Sequence, residues 1–177
     1  MPTSVTGISI SSGFTLLEVL VTVVLIGIIA SFAVLAVRGN DPHDRLAREA
    51  QRLHARLELE QQEAMLRGEL RGVLFTRTGY AFLVETQEDE WAVPLDSSLP
   101  QSYTLSRGVE MALSVDERRV VLAETAGQPL RPQVLLPASG ELMPFQVTLG
   151  ITADRGERYA VGGDIAGRVR LERLDPL

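Results

Sequence analysis

Hydrophobic and polar positions divide this chain into three textures. The first is continuous. In FTLLEVLVTVVLIGIIASFAVLAV, residues 14–37, the 19 positions from Val19 to Val37 carry no charge. As helix that run spans roughly 28 Å, about the thickness of a bilayer core. A core helix of a soluble domain is seldom apolar on every face for five turns. A cleaved secretory signal has a shorter apolar region followed by an Ala-x-Ala-like site. Ser31, Ala33 and Ala36 are its nearest approach here. The pattern predicts a retained membrane helix.

The second texture is periodic. Arg38-Gly-Asn-Asp-Pro42 interrupts the helix, because Gly39 and Asn40 are poor helix residues and Pro42 disfavours helix at Asp41. Asn40 or Asp41 can cap a new helix, with Pro42 near its first position. Leu46, Ala50, Leu53, Leu57 and Ala64 then form one apolar stripe at helical spacing. Arg45, Arg48, Glu49, Arg52, Arg56, Glu60, Glu63 and Arg67 are expected on the remaining, solvated faces, with Arg56–Glu60 and Glu63–Arg67 one turn apart. Gly68 supplies a stop. The stripe requires a cover.

The third texture, after Gly72, is short and alternating. Ten β-like runs are predicted: 72–76, 80–85, 90–94, 103–105, 109–115, 119–123, 133–136, 145–151, 158–161 and 168–171. Val109, Met111, Leu113 and Val115 alternate to one face, as do Val169 and Leu171. Thr78-Gly79, Gly127-Gln-Pro129, Ser139-Gly140 and Gly162-Gly163-Asp164 read as turns. Antiparallel sheets with one buried face follow, and one of them is the natural cover for the Leu46–Ala64 stripe. The fold class is therefore α+β.

Composition narrows the function by exclusion. The net charge is −6, and all 17 basic residues are Arg. That balance lacks the basic stripe of a nucleic-acid binder. With no Cys, a disulfide scaffold and a thiol nucleophile are both excluded. His43 and His54, the two histidines, are eleven residues apart with no further ligand in pattern, and read as helix-surface residues. Pro137-Ala-Ser139-Gly140 lacks the glycine that a nucleophile elbow places two residues before its serine. Glu85, Glu88, Asp89 and Glu90 read as a solvated loop before Trp91. No catalytic constellation emerges, and no metal or cofactor is expected.

One motif carries chemistry. Gly13-Phe14-Thr15-Leu16-Leu17-Glu18, opening the uncharged segment directly, resembles the processing site of type IV prepilins and pseudopilins. The resemblance implies that prepilin peptidase cuts after Gly13 and methylates the new amino group of Phe14. It implies that Glu18 is the acidic residue five positions into the mature chain. A carboxylate beside an apolar helix is expensive. In a filament of packed helices it requires a partner, and the amine of a neighbouring Phe14 is one. Two departures stand out. Residues 1–13 contain no Arg or Lys, although leaders of this family usually carry one, and no Pro lies between Phe14 and Asp41. Flanking charge alone, with Arg38, Arg45 and Arg48 on the far side, orients the N-terminus outward. The processing motif requires it in the cytoplasm.

The rest of the chain resembles the H-type minor pseudopilins of type II secretion. The similarity rests on the run from Leu46 to Gly68, on Gln133-Val-Leu-Leu-Pro-Ala-Ser-Gly-Glu-Leu-Met-Pro-Phe-Gln-Val-Thr-Leu, and on Asp164-Ile-Ala-Gly-Arg-Val-Arg-Leu. It implies a leader at 1–13, a transmembrane and filament-core helix at 14–37, an amphipathic continuation at 38–68, and a periplasmic β-sandwich-like domain at 72–177. Implied partners are prepilin peptidase, other minor and major pseudopilins, and the inner-membrane assembly platform, with the subunit near the filament tip. Two alternatives remain at this point: a minor pilin of a type IV pilus, and a membrane-anchored periplasmic binding or enzymatic domain.

Overall fold

A computed structural model describes residues 15–38, 41–94, 99–152 and 156–174, with the backbone alone for 32–38. Gly13 and Phe14 lie outside the described residues. The chain forms two compact units, residues 1–40 and 41–177. In the first, helix α1 runs Leu16–Arg38. Its described side chains, 16–31, are exposed on every face, from Leu16 at 83% to Val21 at 46%. Among the described residues no helix is long and apolar enough to cross a membrane.

The second unit opens with α2, Pro42–Arg67. Asp41 caps it by accepting from His43 N–H at 2.9 Å, with Pro42 at the start, where a missing N–H costs nothing. Gly68, at φ +66°, closes it in the left-handed conformation, donating its N–H to Ala64 O.

Two five-stranded antiparallel sheets follow among the described residues. The first comprises β1 (Arg71–Phe75), β2 (Gly79–Glu85), β3 (Trp91–Ala92), β4 (Ser102–Thr104) and β7 (Val134–Leu136). Its order is β3-β2-β1-β7, and β4 also pairs with β2. The second is ordered β10-β9-β8-β5-β6, from β5 (Val109–Val115), β6 (Arg118–Val120), β8 (Phe145–Ile151), β9 (Arg158–Gly163) and β10 (Val169–Leu174).

The apolar stripe of α2 and the inner faces of both sheets make one core. Leu46, Ala50, Leu53, Leu57 and Ala64 join Val73, Phe75 and Phe82 from the first sheet and Leu113, Val147, Leu149 and Val161 from the second. Val109, Met111, Val115, Val169 and Leu171 pack against it from their strands, on the face the alternation assigns. The cover for α2 is thus both sheets, not one. A 26-residue helix is longer than either sheet can cover alone, and α2 meets β8, β9 and β10 as well as β1 and β7.

Three local expectations are corrected. Glu49, Arg56 and Glu60, expected on solvated faces, are buried. Gly162 and Gly163 belong to β9, not to a turn, and the reversal falls at Asp164–Gly167. A Cβ on Gly163 would lie 2.6 Å from Phe145 and 2.7 Å from Leu142, so close packing is the reason for that glycine. The strand expected at 119–123 stops at Val120, after a tight turn that holds Asp116 and Glu117 at positive φ.

Candidate functional site

The first site is the start of α1. Thr15 precedes the helix, and its hydroxyl accepts the Glu18 backbone N–H at 3.3 Å. This is the N-cap arrangement that the Thr-x-x-Glu spacing favours. Thr22 donates its hydroxyl to Glu18 O, one turn along. The Glu18 backbone is therefore fully engaged, while its carboxylate is exposed. No cation pairs with that carboxylate among the described residues. The surrounding residues, Leu16, Leu17, Val19, Leu20 and Val21, offer it only hydrocarbon. Exposed apolar side chains on every described face leave α1 no single packing side.

The second cluster is the polar flank of α2 in the globular unit. Arg71 of β1 donates to Glu60 at 2.6 Å and to Glu69 at 3.1 Å. Arg56 donates to the other Glu60 oxygen and to Pro100 O at 3.4 Å. Its guanidinium also lies 5.1 Å from the ring centre of Phe82 and 5.7 Å from that of Tyr103. Glu49 accepts from Ser106 through both N–H, at 3.2 Å, and Oγ, at 2.6 Å. Burial pushes the Tyr80 phenol well above its usual range, with Arg52 partly opposing the shift. These contacts tie α2 to β1 and to the chain around β4. They involve no pair poised for proton transfer to a substrate, and the cluster is architectural.

The sequence-predicted histidines separate. His43 is exposed beside Glu157, at 3.2 Å, whereas His54 is half-buried with Nε2 3.4 Å from Val169 O. Among the described residues no group of His, Asp and Glu is arranged to hold a metal.

Comparison with known proteins gives these features their context. Residues 8–34 match the model for the prokaryotic N-terminal methylation motif, which spans both the Gly13–Phe14 junction and Glu18. Over 172 residues, 90% of this chain and 92% of the relative, the sequence is 32% identical to type II secretion system protein H of Aeromonas hydrophila. The chain belongs to the type II secretion system protein H family. It is a minor pseudopilin of the type II secretion system. The Pseudomonas aeruginosa protein of the same name is 28% identical over 93% of this pseudopilin and 96% of its own length. The structure of the minor pseudopilin EpsH of Vibrio cholerae superposes with a TM-score of 0.62 at 26% identity, covering 75% of this chain and 98% of that one. These matches decide between the two filament readings in favour of type II secretion.

The sequence reading missed the Glu60 cluster, although a signal for it was present. Glu60 lies seven residues after Leu53, three after Leu57 and four before Ala64, within the phase of the buried stripe itself.

Proposed function

We propose that this pseudopilin is a structural subunit, not an enzyme, held in the bacterial inner membrane by one helix over 14–37. Its N-terminus lies in the cytoplasm and the unit from Asp41 onward lies in the periplasm. Prepilin peptidase cuts between Gly13 and Phe14 and methylates the Phe14 amine. The helix then joins the core of a pseudopilus near its tip, beside other minor and major pseudopilins above the assembly platform, and supports export of folded proteins. The domain boundaries at 1–13, 14–37, 38–68 and 72–177 belong to the same reading.

The observation that carries it is Glu18: one carboxylate with its backbone satisfied by Thr15 and Thr22, on a helix whose other described faces are apolar. Such a group is tolerable in a dry bundle only when a cation meets it. The methylated amine of a neighbouring Phe14 is that cation. Intact-mass measurement of the chain made beside its peptidase tests the processing. The expected product begins at methylated Phe14. A product retaining residues 1–13, or beginning after Ala36, refutes the assignment.

A further inference from the structure

Near its C-terminal end, α2 meets two chain reversals through one side chain. Gln61 is buried and donates its amide hydrogens to Gly140 O at 2.9 Å and to Gly167 O at 2.8 Å. Gly140 lies in the connection between β7 and β8, and Gly167 in the reversal between β9 and β10. The two reversals touch, since a Cβ on Gly167 would strike Gly140 O. Each also closes on itself: Gly140 N–H donates to Pro137 O at 3.0 Å, and Gly167 N–H to Asp164 O at 2.9 Å. Both amide hydrogens of Gln61 are therefore committed to this junction.

Met65 follows Gln61 by one helical turn, on the same face of α2. Its sulfur rests on Gly140, where a Cβ would lie 2.9 Å from Met65 Sδ. The residue is nevertheless 46% exposed, and with Gln61, Gly140 and Gly167 it lines a groove of about 790 Å³. Glu58 and Glu141 line that groove as well as Arg168 and Arg170, so its charges balance and a small neutral reagent enters without electrostatic preference. Of the other methionines, Met1 lies outside the described residues, Met111 packs against the core, and Met143 is exposed. Met65 combines exposure with a seat on the hydrogen-bonded junction.

We propose that Met65 is an oxidation site, and that converting its thioether to the sulfoxide with a peroxide loosens both reversals from α2. The sulfur lone pair attacks one peroxide oxygen and the O–O bond breaks. An S–O bond forms, and the second oxygen leaves as water with the proton of the first. Sulfur loses two electrons and the peroxide gains them. The product sets a polar acceptor where an apolar group had packed. That oxygen competes with Gly140 O and Gly167 O for the Gln61 amide, which has no third hydrogen to give. Methionine sulfoxide is reducible, so the change is reversible.

The test treats the full chain in detergent with graded hydrogen peroxide and follows each methionine by peptide mass. Met65 and Met143 should oxidise before Met111. As Met65 is oxidised, amide exchange at Gly140 and Gly167 should quicken about tenfold, since one net hydrogen bond is worth about that factor. Reduction by methionine sulfoxide reductases should restore the starting rates. Met65→Leu keeps an apolar side chain without sulfur, and its exchange at both glycines should ignore peroxide while Met143 still oxidises. Met143→Leu should respond as wild type does, and it keeps the test valid if Met65→Leu is unstable. Complete oxidation of Met65 with unchanged exchange overturns the proposal. So does a Met65 that survives peroxide sufficient to exhaust Met143, or an equal quickening in Met65→Leu. These outcomes are independent of processing and filament assembly.

Discussion

Arg71 Nη1 lies 2.6 Å from Glu60 Oε2, and both side chains are almost wholly enclosed, at 5% and 3% exposure. The second oxygen of the same carboxylate takes Arg56, so one anion in the middle of α2 holds two guanidiniums, one from its own helix and one from β1. Enclosing three charges is costly even when they are paired, and Arg56 Nε, Arg56 Nη1 and Arg71 Nε lack partners among the described residues. The cluster therefore acts as a register device between helix and sheet more than as a source of net stability.

Removing the shared anion should be severe. Glu60→Gln leaves Arg56 enclosed without a carboxylate and Arg71 with only Glu69, at 3.1 Å, and Glu63, at 3.9 Å, and a loss of about 3–5 kcal/mol is expected. Urea unfolding followed through Trp91, the one tryptophan, measures it. Replacing all three charges together, as Arg56→Met, Glu60→Leu and Arg71→Met, should restore most of the loss because no charge is then stranded. A single-variant loss below about 1 kcal/mol, the level of an exposed ion pair, contradicts this arrangement.

Gly163 should resist even one added methyl group. The new Cβ would approach Phe145 and Leu142 to 2.6 and 2.7 Å, and Phe145 is itself held in the core. Gly163→Ala should cost about 1–3 kcal/mol by overpacking. Gly127→Ala, whose Cβ would meet nothing within 4 Å, should stay within about 0.5 kcal/mol of the parent. Equal unfolding midpoints for the two variants count against the close packing of β9 on Leu142 and Phe145.

The reversal between β9 and β10 should weaken in acid. The Arg168 backbone N–H, aided by the Arg168 side chain and the Ala166 N–H, holds the Asp164 carboxyl below the usual aspartate range. A depressed folded-state value means that the stabilisation is present above the ordinary aspartate pKa of about 3.9. It is lost as pH falls through the lowered value. Carboxyl-carbon NMR titration should find Asp164 titrating below the ordinary aspartate range. In Asp164→Asn, amide protection of Ala166 and Arg168 should become insensitive to pH in that acidic window.

Glu18 gives the sharpest test of assembly. If its carboxylate only marked a membrane boundary, Glu18→Gln would assemble normally, because glutamine is equally polar. If the carboxylate meets a neighbour's Phe14 amine, the substitution strands a buried cation, at a cost of about 3–5 kcal/mol. The variant should still be processed and still reach the membrane, yet recover its filament partners from detergent poorly. Recovery equal to wild type, with normal export, removes Glu18 as the assembly contact of this subunit.

Period and punctuation were legible where local forces decide. The stripe from Leu46 to Ala64, the stop at Gly68 and the strands Val109–Val115 and Phe145–Ile151 all stand in the structure where spacing places them. Each depends on neighbours within a few residues: a repeat of 3.6 or 2, or a glycine free to take positive φ. The tight turn at Asp116-Glu117 was not legible, since Asp tolerates positive φ but Glu is not a usual choice for it. The demand arises from the twist of the two strands it joins.

By itself, the sequence determined an α+β chain with an uncharged helix after a processing motif, an amphipathic helix, and a series of short strands with their buried faces. Those features follow from side-chain chemistry at short range. Only the tertiary structure decided that both sheets cover α2, that Gly163 packs instead of turning, and that Glu60 is enclosed with Arg56 and Arg71. Arg71 stands eleven residues from Glu60, and Phe145 eighteen from Gly163. Whether a charge on a helix meets water or a guanidinium depends on which strand folds back across it, and that is settled by the packing of the whole core.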